Sequence, residues 1–351
     1  MLLHMSSGSD TNACANPGAK MAAPKARFER LFRAACAKRR SAVIGMVHVQ
    51  ALPGTPKSGL EVAELVDQAV KEARLYREHG LDGVIVENMH DTPYISSVGP
   101  EVTACMTRVC WEVRQAMGGD LPLGVQILSG KPAATSLSNT DSTPTPFRAG
   151  ANREALAVVK AAGADFVRAE GFVFSHVGDE GWMDSCAGDL LRYRKNIGAD
   201  NVLVFTDIKK KHRMTLVGYL RQPVRLLWNI VTSPVWITGS LSLYSSHAVT
   251  SDLSISEVAR AAEFFLSDGV IVTGQSTGCP ASRREVTEVK ESTSLPLLVG
   301  SGVTVENLDG YSGVADGMII GSWFKEHGQW FNPLDPHRIS TFMETLLSRV
   351  V

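Results

Sequence analysis

The chain has 351 residues, 44% of them hydrophobic and 20% charged, with 31 glycines; this composition supplies a large core and excludes a disordered or collagen-like chain. A formal net charge of −1 gives no electrostatic basis for nucleic acid or an anionic membrane surface as the main partner. The six cysteines follow no metal-ligand or disulfide-framework spacing, which points to reduced packing residues in an intracellular protein.

Residues 1–26 mix Ser, Ala, Asn, Gly and Pro and are expected to be disordered. Residues 27–40 are basic and amphipathic, with Arg27, Phe28, Arg30, Phe32 and Arg33. Residues 1–40 therefore read as a disordered, basic extension ahead of one domain over 41–351. Its basic part fits a short helix packed under that domain, or a mitochondrial transit peptide. The cytoplasm is the expected location, with the mitochondrion as the alternative.

Eight short runs rich in Val, Ile and Leu follow: 42–49, 83–88, 123–128, 166–170, 202–208, 269–273, 297–300 and 317–321. Their length and turn-residue borders predict strands buried on both faces. Helical periodicity predicts helices over 60–78, 101–117, 152–162, 189–196, 255–266, 284–291 and 305–310, and a closing helix over 336–349. Strict strand–helix alternation, eight times over, predicts a single (β/α)8 TIM barrel rather than a doubly wound sheet.

Two segments interrupt the alternation. Residues 131–150 are rich in Ser, Thr and Pro; residues 214–244 contain no Asp, Glu or Lys but carry Trp228 and Trp236. Arg221, Arg225 and two prolines in the second argue against a membrane span, so no clear span is expected. Both follow the C-terminal ends of strands. They read as lids over the barrel mouth, or as alternative-exon sequence whose removal restores a short loop.

In this fold, catalytic groups sit at the C-terminal ends of strands. Those ends supply His48, Glu87, Asn88, Gln126, Arg168, Glu170, Asp207, Lys209 and Thr273. Buried strands have little structural use for so many polar groups. Glu87, Glu170 and Asp207 can serve as general acid and base, or can hold a divalent cation with His48 as a further ligand. Arg168 suits stabilisation of developing negative charge, and Lys209 suits an electrophile, a Schiff base or a phosphate contact. Asn88, Gln126 and Thr273 are expected to bind substrate. At strands seven and eight, Gly300-Ser301-Gly302 and Gly321-Ser322 bare the backbone, and a predicted helix follows the first. That pattern predicts a phosphate grip.

Four strings resemble the BtpA/SgcQ family: residues 44–56 (IGMVHVQALPGTP), 86–94 (VENMHDTPY), 168–172 (RAEGF) and 206–212 (TDIKKKH). The resemblance covers about residues 41–345 and implies a barrel of the ribulose-phosphate-binding type. The founding member is named for photosystem I biogenesis, and a bacterial relative lies among sugar-metabolism genes. Family members usually lack the two interrupting segments. The expected activity is isomerase, lyase or hydrolase chemistry on a small phosphorylated metabolite, either a sugar phosphate or a nucleotide-like compound. The alternative is a non-enzymatic assembly or stability factor for a larger complex, including a membrane-associated one. Nucleic acid is not expected as a partner, whereas self-association into a homo-oligomer is.

Overall fold

Short apolar strands and one-sided helices satisfy both hydrogen bonding and burial when the strands pair side by side beneath a helical cover. The computed structural model describes residues 22–95, 97–129, 150–178, 181–209, 247–248 and 252–349. The strands in chain order are β1 (Ala42–His48), β2 (Gly83–Glu87), β3 (Leu123–Gln126), β4 (Phe166–Ala169), β5 (His176–Gly178), β6 (Gly181–Met183), β7 (Leu203–Asp207), β8 (His247–Ala248), β9 (Gly269–Val272), β10 (Leu297–Val299) and β11 (Gly317–Ile320). Eight of them close a parallel barrel in the order β1-β11-β10-β9-β7-β4-β3-β2. All eight predicted runs are these barrel strands. The remaining three form a small antiparallel sheet, β6-β5-β8, which the sequence did not suggest.

The helices are α1 (Pro24–Leu31), α2 (Arg33–Ala37), α3 (Val62–Glu78), α4 (Pro100–Ala116), α5 (Asn152–Ala162), α6 (Ala187–Asn196), α7 (Ile255–Phe264), α8 (Arg283–Ser292) and α9 (Pro336–Ser348). The helix expected over 305–310 is not formed; only a 3-10 turn, Leu308–Gly310, lies there. Asn307 explains the difference. Its side chain accepts from Thr304 N at 2.8 Å and donates to the Gly302 carbonyl at 2.7 Å, which closes a loop instead of starting a helix. No helix among the described residues is long and apolar enough to cross a membrane. The interrupting segments, apart from residue 150, lie outside the described residues.

The two-residue period of each strand separates two cores. Val43, Val47, Val84, Val86, Val125, Val167 and Val204 face the helices. Ala42, Ile44, Met46, Ile85, Phe166, Phe205, Ile271, Leu298 and Ile319 fill the barrel. Phe28 and Phe32, both buried, join the inner core, with ring centroids 6.0 Å from Phe205 and 6.1 Å from Phe166 respectively. A Cβ at Gly83 would sit 3.2 Å from Phe32, so the glycine makes room for the plug. Through Phe28 and Phe32, the segment from α1 to α2 packs against the barrel floor.

One device recurs around that floor. Asp82, Asp165, Asp268 and Asp316 directly precede β2, β4, β9 and β11, which are alternate strands of the barrel. Each accepts the N–H of the first or second residue in the neighbouring strand: Val43, Leu123, Val204 and Leu297. Each also pairs with a cation, namely Arg40, Arg114, Arg194 (with Arg27) and Lys290. The turn that ends one helix thus fixes the register of the next strand pair.

Candidate functional site

Continuing the inward parity of the eight strands by one step beyond the inner core brings one residue from each to the C-terminal mouth: His48, Glu87, Gln126, Arg168, Asp207, Thr273, Gly300 and Gly321. Five carry ionisable or amide side chains. The two glycines come from adjacent strands, leaving one side of the mouth without side chains.

Arg168 is the hub. Its Nε and Nη2 donate to the two Asp207 carboxylate oxygens, each at 2.9 Å, and both side chains are buried. Burial opposes the guanidinium charge, but Asp207, with Glu87 and Glu170 behind it, more than offsets this and raises the Arg168 pKa. The side chain reaches across the mouth, so that a Cβ at Gly300 would lie 3.3 Å from Nη2.

His48 occupies the other side. Its Nδ1 lies 3.0 Å from the Trp330 carbonyl, which can only accept, so Nδ1 carries the hydrogen and Nε2 faces Glu87 Oε2 at 3.6 Å. A Cβ at Gly321 would come within 3.3 Å of His48 Nε2; that glycine gives space to the histidine as well as ending its strand. The Trp330 ring lies 4.9 Å from His90. Burial, then Lys325 and Lys57, lower the His90 pKa. Trp330 was not singled out from sequence, since nothing local marks a backbone carbonyl as a positioning group.

Gln126 Nε2 donates to Glu170 Oε1 at 3.3 Å. Glu170 is held from behind by Asn152, whose Nδ2 donates to the Glu170 carbonyl at 2.7 Å. Asn152 was also missed. It opens a helix, where an Asn reads as a cap.

Several expected site residues have structural duties instead. Asn88 donates to Asp91 Oδ2 at 2.8 Å and to the Leu128 carbonyl, and accepts from Leu128 N at 2.7 Å. Both of its N–H donors and one of its acceptor sites are spent joining two loops. Asp91 also accepts from Leu52 N and Thr55 Oγ1, while burial pushes its pKa up. Lys209 turns to Glu285 on α8, with Nζ–O distances of 2.5 and 2.7 Å, which leaves the Schiff-base reading without support. Thr273 Oγ1 donates to the Lys209 carbonyl at 2.9 Å.

The glycine–serine pair at strand seven also reads differently. Gly300 N–H is spent on the Val272 carbonyl at 2.8 Å. Ser301 Oγ accepts from Gly274 N at 2.6 Å and donates to the Cys279 carbonyl at 3.0 Å, so it fastens the 274–281 loop over the strand ends. Gly302 has φ +65°, and a Cβ there would overlap the Cys279–Pro280 backbone. The N–H groups of Ser301, Gly302 and Ser322, and Ser322 Oγ, take no hydrogen bond among the described residues. Gly278 of the same loop lies opposite Ser322 Oγ. No three His, Cys, Asp or Glu side chains among the described residues are arranged to hold a metal ion; Asp207 is committed to Arg168.

A groove of about 670 Å³ between α3 and α4, lined by Val70, Arg74, Glu78 and Glu112 among others, lies on the helical exterior and shares no residue with the mouth.

A sequence profile of the BtpA family matches residues 39–241 and 230–348. An uncharacterized mitochondrial protein of Caenorhabditis elegans is 42% identical over 309 residues, covering 87% of this chain and 92% of its own. The photosystem I biogenesis protein BtpA of Synechocystis is 27% identical over 306 residues, 87% of each chain. Among solved structures, the metallated form of the homocysteine methyltransferase MmuM of Escherichia coli has a TM-score of 0.50 at 11% identity, covering 90% of this chain and 99% of that one; the likeness is one of fold.

Proposed function

The chain belongs to the BtpA family, and from that premise we propose that it is a (β/α)8-barrel enzyme acting on a small phosphorylated metabolite at the mouth of the barrel. The observation that carries this reading is the set of inward strand-end residues, polar from β1 through β7 and bare at β10 and β11. The phosphate is held by the backbone of Ser301, Gly302, Gly321 and Ser322 together with Ser322 Oγ, beneath the 274–281 loop. The substrate body lies toward the polar side. Glu87 with His48, and Glu170, move protons; Arg168, fixed by Asp207, stabilises negative charge that develops in the transition state. Such a set suits isomerisation, or cleavage next to a hydroxyl or carbonyl.

The test is thermal unfolding with inorganic phosphate and a sugar-phosphate panel, followed by turnover assays on the compounds that bind. A ligand at one hundred times its Kd stabilises by about 2.7 kcal/mol, a readily measured shift in Tm. Ser322→Asp, which sets a carboxylate against the phosphate, is expected to abolish the shift. Gly302→Asp is no substitute, because its side chain would collide with Cys279–Pro280 whether or not phosphate binds. No response to any phosphate compound overturns the grip, and binding without turnover of any member, unaffected by Glu87→Gln or Glu170→Gln, overturns the enzyme.

A second reading, an assembly factor, draws on the name of the Synechocystis relative and on Phe264, Phe265 and Leu266, three consecutive exposed apolar residues at the end of α7. On location, the nematode relative's name supports the mitochondrial alternative.

A further inference from the structure

Gln126 is 2% exposed, and its two amide atoms fare differently. Nε2 donates to Glu170 Oε1. Oε1 takes no hydrogen bond among the described residues. The amide cannot be turned to exchange the two atoms, because Oε1 would then face a carboxylate oxygen, acceptor against acceptor. A buried carbonyl left without a donor is costly, and such orphans in a native protein call for an explanation.

The surroundings show what is missing. On the β2 side Glu87 is the register partner of Gln126, and it is an acceptor when ionised. Glu170 and Asp207 are acceptors too. Arg168 gives Nε and one Nη2 hydrogen to Asp207, and none of its other N–H groups reaches Gln126 Oε1. No donor among the described residues reaches Gln126 Oε1, so what completes it must bring a hydrogen. A phosphate, carboxylate or ketone oxygen cannot do so; a hydroxyl can.

We propose that Gln126 is a specificity-determining residue, whose Oε1 accepts a hydrogen bond from a substrate hydroxyl, so that the phosphorylated metabolite is a polyol or sugar phosphate rather than a keto-acid or carboxylate phosphate. This rests on the phosphate-grip reading above and names the substrate class for the same site. In the ligand-free protein a water serves the same acceptor, and the substrate hydroxyl displaces it. A site built to bond a hydroxyl discriminates against the analogue that lacks it, because the protein atom is then left unpaired.

The experiment measures binding of matched pairs by calorimetry: ribose 5-phosphate against 2-deoxyribose 5-phosphate, and glucose 6-phosphate against its 2-deoxy and 2-amino-2-deoxy counterparts. Inorganic phosphate is run alongside as a probe of the grip alone. Wild type is expected to favour a hydroxylated member over its deoxy partner roughly tenfold, the worth of one good neutral hydrogen bond. Gln126→Leu, similar in shape but without the acceptor, is expected to bring that ratio to about one while leaving phosphate binding unchanged. Gln126→Met is the second variant, and the phosphate arm reports whether either is folded. Phosphate binding with no hydroxyl preference in any pair, or a preference that survives in both variants, overturns the proposal and leaves the grip standing. Tighter binding of the amino sugar than of its hydroxyl counterpart overturns it in favour of an ammonium ligand. No binding of phosphate or any sugar phosphate overturns the grip and the proposal together.

Discussion

Arg168 and Asp207 form a buried pair at the centre of the mouth, but the two partners are not equivalent. Arg168 has Asp207 in contact and Glu87 and Glu170 within electrostatic reach, so three acids favour its charge. Asp207→Asn keeps the shape and one acceptor, and leaves a guanidinium that two other carboxylates still favour. Its expected cost is about 2–3 kcal/mol, at or below the low end for breaking a buried pair. Arg168→Met leaves Asp207, 6% exposed at its side chain, without the guanidinium that pairs with it, for which about 3–5 kcal/mol is expected. The double variant Arg168→Met/Asp207→Leu should be less unstable than the sum of the singles, by a coupling of about 1–3 kcal/mol. Urea unfolding at pH 7 reads all of these, provided the m-value is unchanged. The reasoning is refuted if Asp207→Asn costs as much as Arg168→Met, or if either costs less than about 1 kcal/mol.

Three further outcomes follow from other parts of the molecule. Phe32→Ala empties the floor plug between Phe28 and Phe166 and should cost about 3–5 kcal/mol in urea unfolding; a near-neutral result would mean that α1 is not part of the folded body. Gly300→Ala sets a methyl 2.6 Å from Ile271 Cγ2 and 3.3 Å from Arg168 Nη2, so a loss of about 1–3 kcal/mol and weaker ligand binding are expected, against full retention of both if the mouth is open there. His90 is held neutral in the fold by burial, Lys325 and Lys57. Its folded pKa lies below its unfolded value near 6.5, so the unfolded chain takes up more protons and stability falls as pH drops from about 6.5 through the folded value. His90→Gln should flatten that acid limb of the stability curve, and an unchanged slope would reject the assignment.

The barrel was legible because strands buried on both faces are written as unbroken Val, Ile and Leu runs, and eight such runs alternate with helices. The polar strand ends were legible for the same reason: His48, Glu87, Gln126, Arg168 and Asp207 stand at or near the C-terminal ends of otherwise largely apolar runs. The helix expected at 305–310 failed because Asn307 bonds backward to Gly302 and Thr304, a competition that hydrophobic periodicity does not register. The floor helix was ambiguous because a basic amphipathic segment looks alike whether it covers a barrel or leads a protein into an organelle. The 305–310 error bears on the grip directly, since it removes the helix N-terminus that the phosphate had been expected to meet.

By itself the sequence determined the closed barrel and a short set of strand-end residues from which a site could be made. Only the tertiary structure decided which of them are still available. Lys209 is taken by Glu285, Thr273 by the Lys209 carbonyl, Asn88 by Asp91 and Leu128, and Ser301 by Gly274 and Cys279, while Gln126 Oε1 is left over. The physical reason is that hydrogen-bond capacity is small and fixed for each side chain, whereas the partner that uses it can stand dozens of residues away. Residue type and strand period report the capacity; only proximity in three dimensions reports how it is spent.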